Sequence, residues 1–158
     1  KHAQGESLPF DPSQMALFHC GPVVQEAAGA WDVIAAGPTT SIRMELFEER
    51  FLEAFGPRIV IGKGGMGDRT QAALETVGAV YTHYTGGAGA LAAGRIQRVD
   101  AVHWLEQLGM PEAAWIFQVQ DFGPLLVTMD SQGGNLYTQL QPTITENMKT
   151  ILARIDSG

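Results

Sequence analysis

A single cysteine, Cys20, occurs in the 158 residues of the chain. The chain therefore forms no internal disulfide and lacks the three or four thiolates that an iron–sulfur cluster takes from its protein, so a reducing, cytoplasmic setting is the simplest expectation. Positive charge is also scarce. Ten Lys+Arg stand against 17 Asp+Glu, a formal net charge of −7, which argues against nucleic acid or an anionic membrane as the main partner. Any anionic ligand must then be drawn in by a local group of cations. No apolar run approaches the ~20 residues of a membrane span, and no signal-peptide pattern opens the chain. Internal repeats and low-complexity tracts are absent as well. Because the first residue is Lys1 and not Met, the expectation is a soluble chain that is processed or truncated relative to a longer polypeptide.

With 45% hydrophobic residues the sequence can build one core, and residues 1–158 are read as a single α/β domain. Residues 14–19 and 31–36 are strand-like and are expected to neighbour each other, with breaks at Gly21-Pro22 and Gly29. From Ile42 to Phe55 the apolar residues Met44, Phe47, Phe51, Leu52 and Phe55 recur at helical spacing. Glu45, Glu48, Glu49 and Arg50 are assigned to the solvent side, and Gly56-Pro57 ends the helix. Residues 58–61 predict a buried parallel strand. Asp68 with Gln71 predicts a capping box for a helix that runs to Val77 and stops at Gly78. Residues 79–84 predict the next strand, and the glycine-rich stretch from Gly86 a small-residue helix reaching about Arg98. Residues 101–105, 114–121 and 125–129 predict further strands, residues 131–135 a turn. Ile144, Met148, Ile151, Leu152 and Ile155 predict a last amphipathic helix capped by Thr145.

Two segments carry the chemistry. In residues 37–44, Thr39, Thr40 and Ser41 precede Arg43; in residues 61–67, Lys63 stands among glycines. Both sit where a strand hands over to a helix. Each handover is expected to offer backbone N–H groups, the positive end of a helix dipole and one cation, a combination suited to a small dicarboxylate at the carboxyl ends of the strands. The bland alternatives are a hydroxyl cap and a solvated arginine in the first, and an exposed lysine on a turn in the second. Residues 62–67 match G-x-G-x-x-G, yet residues 81–85 offer no acidic residue for a ribose, and the lysine precedes the glycines, unlike a Walker A loop. His19, His83 and His103 lack metal-ligand spacing and are assigned to packing or the surface. Trp31, Trp104 and Trp115 are assigned to core or interface, Asp130 and Glu112 to turns.

Residues 8–11 (Leu-Pro-Phe-Asp), 19–24 (His-Cys-Gly-Pro-Val-Val), 36–44 and 61–67, continued by 86–88, 103–112 and 121–125, closely resemble the β subunit of iron–sulfur hydro-lyases. These are the class I fumarases and L(+)-tartrate dehydratases, and the similarity runs to about residue 137. The resemblance implies a swivelling β/β/α domain, with a central mostly parallel sheet, helices on one side and a second, more antiparallel sheet on the other. It implies that a 4Fe–4S cluster is held by a partner α subunit or N-terminal domain and that this chain binds none itself. It further implies a hetero-oligomer acting on a C4 dicarboxylate, with Thr39, Arg43 and Lys63 catalytic and with Thr40, Ser41, Gly64 and Gly65 binding substrate. Iron would take the leaving hydroxyl, Arg43 a carboxylate and Lys63 the charge of the aci-carboxylate, while Thr39 would work with an acidic residue of the partner. Family members also carry a Thr-Ala-Arg-Asp-like segment whose arginine grips substrate and would fall before Lys1, so the chain is expected to be inactive alone. Reversible dehydration of malate to fumarate is the first expectation and dehydration of L(+)-tartrate the second. A non-catalytic carboxylate-binding or regulatory module, and a nucleotide-binding domain that NAD would protect from unfolding, are the rival classes.

Overall fold

The computed structural model describes residues 5–156. A 3-10 turn at Pro12–Gln14, capped where Asp11 Oδ1 accepts from the Ser13 amide, leads into β1 (Ala16–Phe18). A hairpin of β2 (Val23–Ala27) and β3 (Ala30–Ala35) follows, turned by Ala28 and Gly29 with φ of 51° and 78°. Two successive left-handed residues give the turn whose twist suits antiparallel strands. A second 3-10 turn (Ser41–Met44) runs into α1 (Glu45–Phe55), which Gly56 ends in the left-handed region. Then come β4 (Ile59–Gly62), α2 (Asp68–Val77), β5 (Val80–His83), the short α3 (Gly89–Ala93), β6 (Ile96–His103), the single turn α4 (Leu105–Leu108), β7 (Ala114–Val119), β8 (Leu126–Met129) and α5 (Leu136–Asp156).

The central sheet has the order β1-β4-β5-β8, the first three strands parallel and β8 antiparallel to β5. Val60 and Ile61, adjacent in β4, face opposite sides because side chains alternate along a strand. Val60 packs in a core with Leu52 of α1, Ala73 and Leu74 of α2, Tyr81 and Met129. Ile61 packs with Ala36, Tyr84 and Ala92, against which Phe18, Val33, Ile96 and Phe122 also lie. Helices α1 and α2 therefore cover one face, and the other is covered by α3 and two antiparallel hairpins, β2-β3 and β6-β7. The hairpins meet where the half-buried Trp31 and Trp115 stand edge to face at 5.3 Å, an interface between the two hairpins. This is the expected layering of a mostly parallel sheet with helices and additional antiparallel sheets.

Several local expectations are corrected. The strands at 14–19 and 31–36 are not neighbours: β1 pairs with β4, and β3 pairs with β2. The polar Gln25 and Glu26 hid β2, in which only Val24 is buried. The small-residue helix ends at Ala93, well before Arg98, because Ile96 and Val99 pair with Val119 and Phe117. The last helix starts at Leu136, where Asn135 Oδ1 accepts from the Tyr137 and Thr138 amides. Thr145 lies inside it and donates to the Gln141 carbonyl, so it is no cap. The apolar stripe of α5, Ile144, Met148, Ile151, Leu152 and Ile155, remains exposed. In α1, Phe47 is exposed and Glu48 is buried, the reverse of the expected assignment, because Glu48 meets a buried histidine.

The capping box at Asp68 and Gln71 does not form. Gly67 is the N-cap of α2, and the acceptor is Glu45 of α1. Its Oε2 accepts from the Gly67 amide at 2.7 Å and the Thr70 hydroxyl at 2.6 Å, and its Oε1 accepts from the Arg69 and Thr70 amides at 3.1 and 3.2 Å. Burial alone would push the Glu45 carboxyl up. The bonds from Thr70, Gly67 and Arg69 outweigh it and hold the group below its ordinary value. Glu45→Ala is expected to lower unfolding free energy by about 1–3 kcal/mol at neutral pH. Because the folded-state value is depressed, this contribution is present above the ordinary carboxylate range and fades as pH falls through the folded-state value. Urea titrations of both proteins from neutral to acid pH check it; a gap that widens on acidification contradicts it.

Candidate functional site

Strands β1, β4 and β5 run parallel, so their carboxyl ends share one edge of the sheet, the edge at which open α/β sheets take ligands. The chain after β3 crosses this edge. The Thr39 amide donates to the His19 carbonyl at 2.7 Å, just beyond β1, and Cys20 bridges to Pro38. One residue later the segment reaches the end of β4, where Thr40 bridges in parallel to Lys63. The Ser41 amide donates to the Lys63 carbonyl at 3.2 Å, and Ser41 Oγ accepts from the Lys63 amide at 3.0 Å. Two segments more than twenty residues apart are thus stitched together by their backbones.

Glycine makes the stitching possible. A Cβ on Gly62 would stand 2.0 Å from Ser41 Oγ and 2.5 Å from the Tyr81 hydroxyl, so these two fully buried side chains occupy the space a side chain would need. Burial pushes the Tyr81 phenol up to about 12, with the adjacent Ser41 hydroxyl opposing, so the ring stays neutral beneath the site. A Cβ on Gly86 would touch Lys63 Cδ at 3.0 Å, so the lysine stem runs over the loop after β5.

The 3-10 turn at Ser41–Met44 folds Arg43 back on the residues before it. Arg43 Nη2 donates to Thr39 Oγ1, and Nε donates to the Thr40 carbonyl at 3.4 Å. Thr39, Arg43 and Lys63 therefore occupy adjoining positions at one edge, with Arg43 exposed and the other two half-buried. Thr40 is exposed and gives no side-chain cap to the turn.

The supposed anion site at the start of α2 is corrected. The amides that open α2 are taken by the Glu45 carboxylate, so that helix end faces an internal anion. The hydroxyls do not converge either: Ser41 turns inward to the Lys63 amide, whereas Thr39 turns to Arg43. The Gly64 amide is likewise engaged, donating to His83 Nδ1 at 3.1 Å. Gly65 lies against the Tyr137 ring, where a Cβ would be 3.0 Å from the ring carbon.

His83, assigned on sequence to packing or the surface, is half-buried beside the Lys63 loop. A backbone N–H can only donate, so the Gly64 bond requires Nδ1 to be unprotonated and puts the proton of the neutral ring on Nε2. The Tyr137 hydroxyl, 3.3 Å from the same nitrogen, then donates to it. The signal was available for His83, a histidine at the carboxyl end of a parallel strand. None existed for Tyr137, which arrives from the first turn of α5, more than fifty residues on.

Among the described residues no group of three or more His, Cys, Asp and Glu is placed to hold a metal ion. Burial pushes the Cys20 thiol up to about 12, away from the thiolate that a cluster needs. The donors among the described residues, with one half-buried thiol, do not fit an iron–sulfur cluster. No helix among the described residues is long and apolar enough to cross a membrane.

The family described as Fumarase C-terminus matches residues 1–140. The L(+)-tartrate dehydratase subunit beta of Escherichia coli is 39% identical over 148 residues, covering 94% of this chain and 73% of that protein. A putative L(+)-tartrate dehydratase subunit beta of Methanocaldococcus jannaschii is 39% identical over 147 residues, 93% of this chain and 75% of its own length. A putative fumarate hydratase class I of Geobacillus stearothermophilus is 42% identical over 149 residues, 94% of this chain but 29% of that protein.

Proposed function

The chain belongs to the Fumarase C-terminus family, and on that premise we propose that it is the β-type component of a two-part hydro-lyase acting on a 2-hydroxy dicarboxylate. What supports this most directly is the contact of Arg43 with Thr39 Oγ1 beside the backbone bridge to Lys63. Two cation-bearing segments and one hydroxyl at the same strand edge support a site for a C4 diacid.

In this reading Arg43, Lys63 and Thr39 act on the substrate, and Thr40 and Gly65 line the place it occupies. Ser41 and Gly64 shape the loops from behind. Elimination of water removes a proton from one carbon and hydroxide from its neighbour, and negative charge grows on the carboxylate next to the carbon that loses its proton. Arg43 offers a planar fork to one carboxylate, and Lys63 supplies a point charge where the aci-carboxylate builds. The guanidinium donating to Thr39 Oγ1 favours alkoxide character there. As a relay, this hydroxyl would give its own proton to a carboxylate of the partner while its oxygen takes the proton from the substrate carbon, so that Thr39 ends the step as a neutral hydroxyl.

The iron–sulfur cluster implied by the resemblance belongs, in this proposal, to an α-type partner, as does any step that needs it. The assembly is a cytoplasmic hetero-oligomer. Malate to fumarate is the first substrate pair. L-tartrate is the second, favoured by the relatives of comparable length, which carry the tartrate dehydratase name. Steady-state turnover of malate and of L-tartrate by the complex with a cluster-bearing partner tests the proposal. Turnover of either supports the hydro-lyase, and their ratio assigns the substrate. Negligible turnover of both overturns it.

A further inference from the structure

Beneath the Thr39–Arg43 contact lies a pair of ionisable side chains that the mechanism above does not use. His19 Nε2 and Glu48 Oε2 are 3.1 Å apart, and the two side chains are 5% and 4% exposed. Neither His19 Nδ1 nor Glu48 Oε1 has a partner, so the pair holds on through a single bond. A buried pair of this kind is a poor stabiliser, because apolar residues of the same volume commonly do as well or better.

Its place in the fold gives it a different use. His19 is the first residue beyond β1; its amide donates to the Ile61 carbonyl at 2.9 Å, and its carbonyl accepts from the Thr39 amide at 2.7 Å. Glu48 lies in the first turn of α1, the helix that continues directly from the 3-10 turn bearing Arg43. One end of the pair is thus tied to Thr39 and the other to the element that aims Arg43. We propose that His19 and Glu48 are positioning residues that fix α1 against the end of β1 and so set Arg43 against Thr39. The inference rests on the hydro-lyase reading for its catalytic consequence only.

The test uses the complex with a cluster-bearing partner and two variants. The first replaces both members by apolar residues, His19→Leu with Glu48→Met; the second is Glu48→Gln, which keeps a partner for the histidine. For the double variant the expectation is a melting temperature equal to or above that of the parent. Exchange of the Thr39 amide should be about tenfold faster with core amides unchanged. A fall of ~30–100-fold in kcat/KM, carried mostly by kcat, should accompany it, since displacements near 1 Å at a reacting group cost this order. Glu48→Gln should stay within about threefold of the parent on the same scale. Parental Thr39 exchange and parental kcat/KM in the double variant would overturn the proposal. So would a melting temperature that falls in both variants in step with activity, which is the mark of a purely structural pair. If the parent complex turns over neither diacid, the functional reading fails, while Thr39 exchange and melting temperature still decide the positioning claim.

Discussion

Arg43→Ala is expected to lower kcat/KM of the complex on its dicarboxylate by about 10³-fold or more, with Arg43→Lys recovering only part of the loss. The guanidinium does two things at once: one nitrogen donates to Thr39 Oγ1 and another to the Thr40 carbonyl, and the exposed fork remains for a carboxylate. In the proposed mechanism, alanine removes both the carboxylate clamp and the charge beside Thr39 Oγ1. Lysine restores a positive charge without the fork, so it should raise KM more than it lowers kcat. Because Arg43 is exposed and packs no core, its loss should leave the melting temperature within a few degrees of the parent. Steady-state kinetics beside a thermal melt check both halves. Activity within about tenfold of the parent in Arg43→Ala would remove Arg43 from the chemistry.

The largest effect on stability is expected at Gly62. A single methyl there would lie 2.0 Å from Ser41 Oγ and 2.5 Å from the Tyr81 hydroxyl, both far inside van der Waals contact. Ser41 and Tyr81 are fully buried, so neither can swing into solvent. Overpacking of a rigid core costs about 1–3 kcal/mol, and Gly62→Ala should reach the upper end because two side chains are struck together. Against a total stability of about 5–15 kcal/mol, the denaturant midpoint should fall clearly with an unchanged slope. Ser41 must also move off the Lys63 amide, so the Lys63 loop should loosen as the core does. Tyr81→Phe in the same background removes one of the struck groups and should return part of the lost stability; no recovery would mean that the Tyr81 contact is not limiting.

The elements read correctly along the chain are those whose pattern is local. β4 and β5 are short apolar runs with helices between them, and α1 and α2 each stop at a glycine with positive φ, Gly56 and Gly78. A left-handed C-cap is decided within a few residues, and so it is visible in a few residues. The misreadings have the opposite character. β2 is a polar strand made by its hairpin partner, β6 extends over residues whose helical appearance yields to pairing with β7, and Glu48 is drawn into the core by His19. Each is decided by a residue distant in sequence, which no local pattern records.

Residue types and spacing pointed to residues 37–44 and 61–67 as segments where a strand end meets a cation, whereas the choice of Thr39, Arg43 and Lys63 within them came from the resemblance to the hydro-lyase β subunits. Spacing sufficed for the alternation of strands and helices too. Tertiary structure alone settled which donors are available. It turned Ser41 inward to the Lys63 amide, filled the start of α2 with the Glu45 carboxylate, and joined the Gly64 amide to His83, with Tyr137 alongside. The physical reason is that a hydrogen-bonding group at a strand edge takes whichever partner the fold brings within 3 Å, and that choice is made by the packing of distant segments.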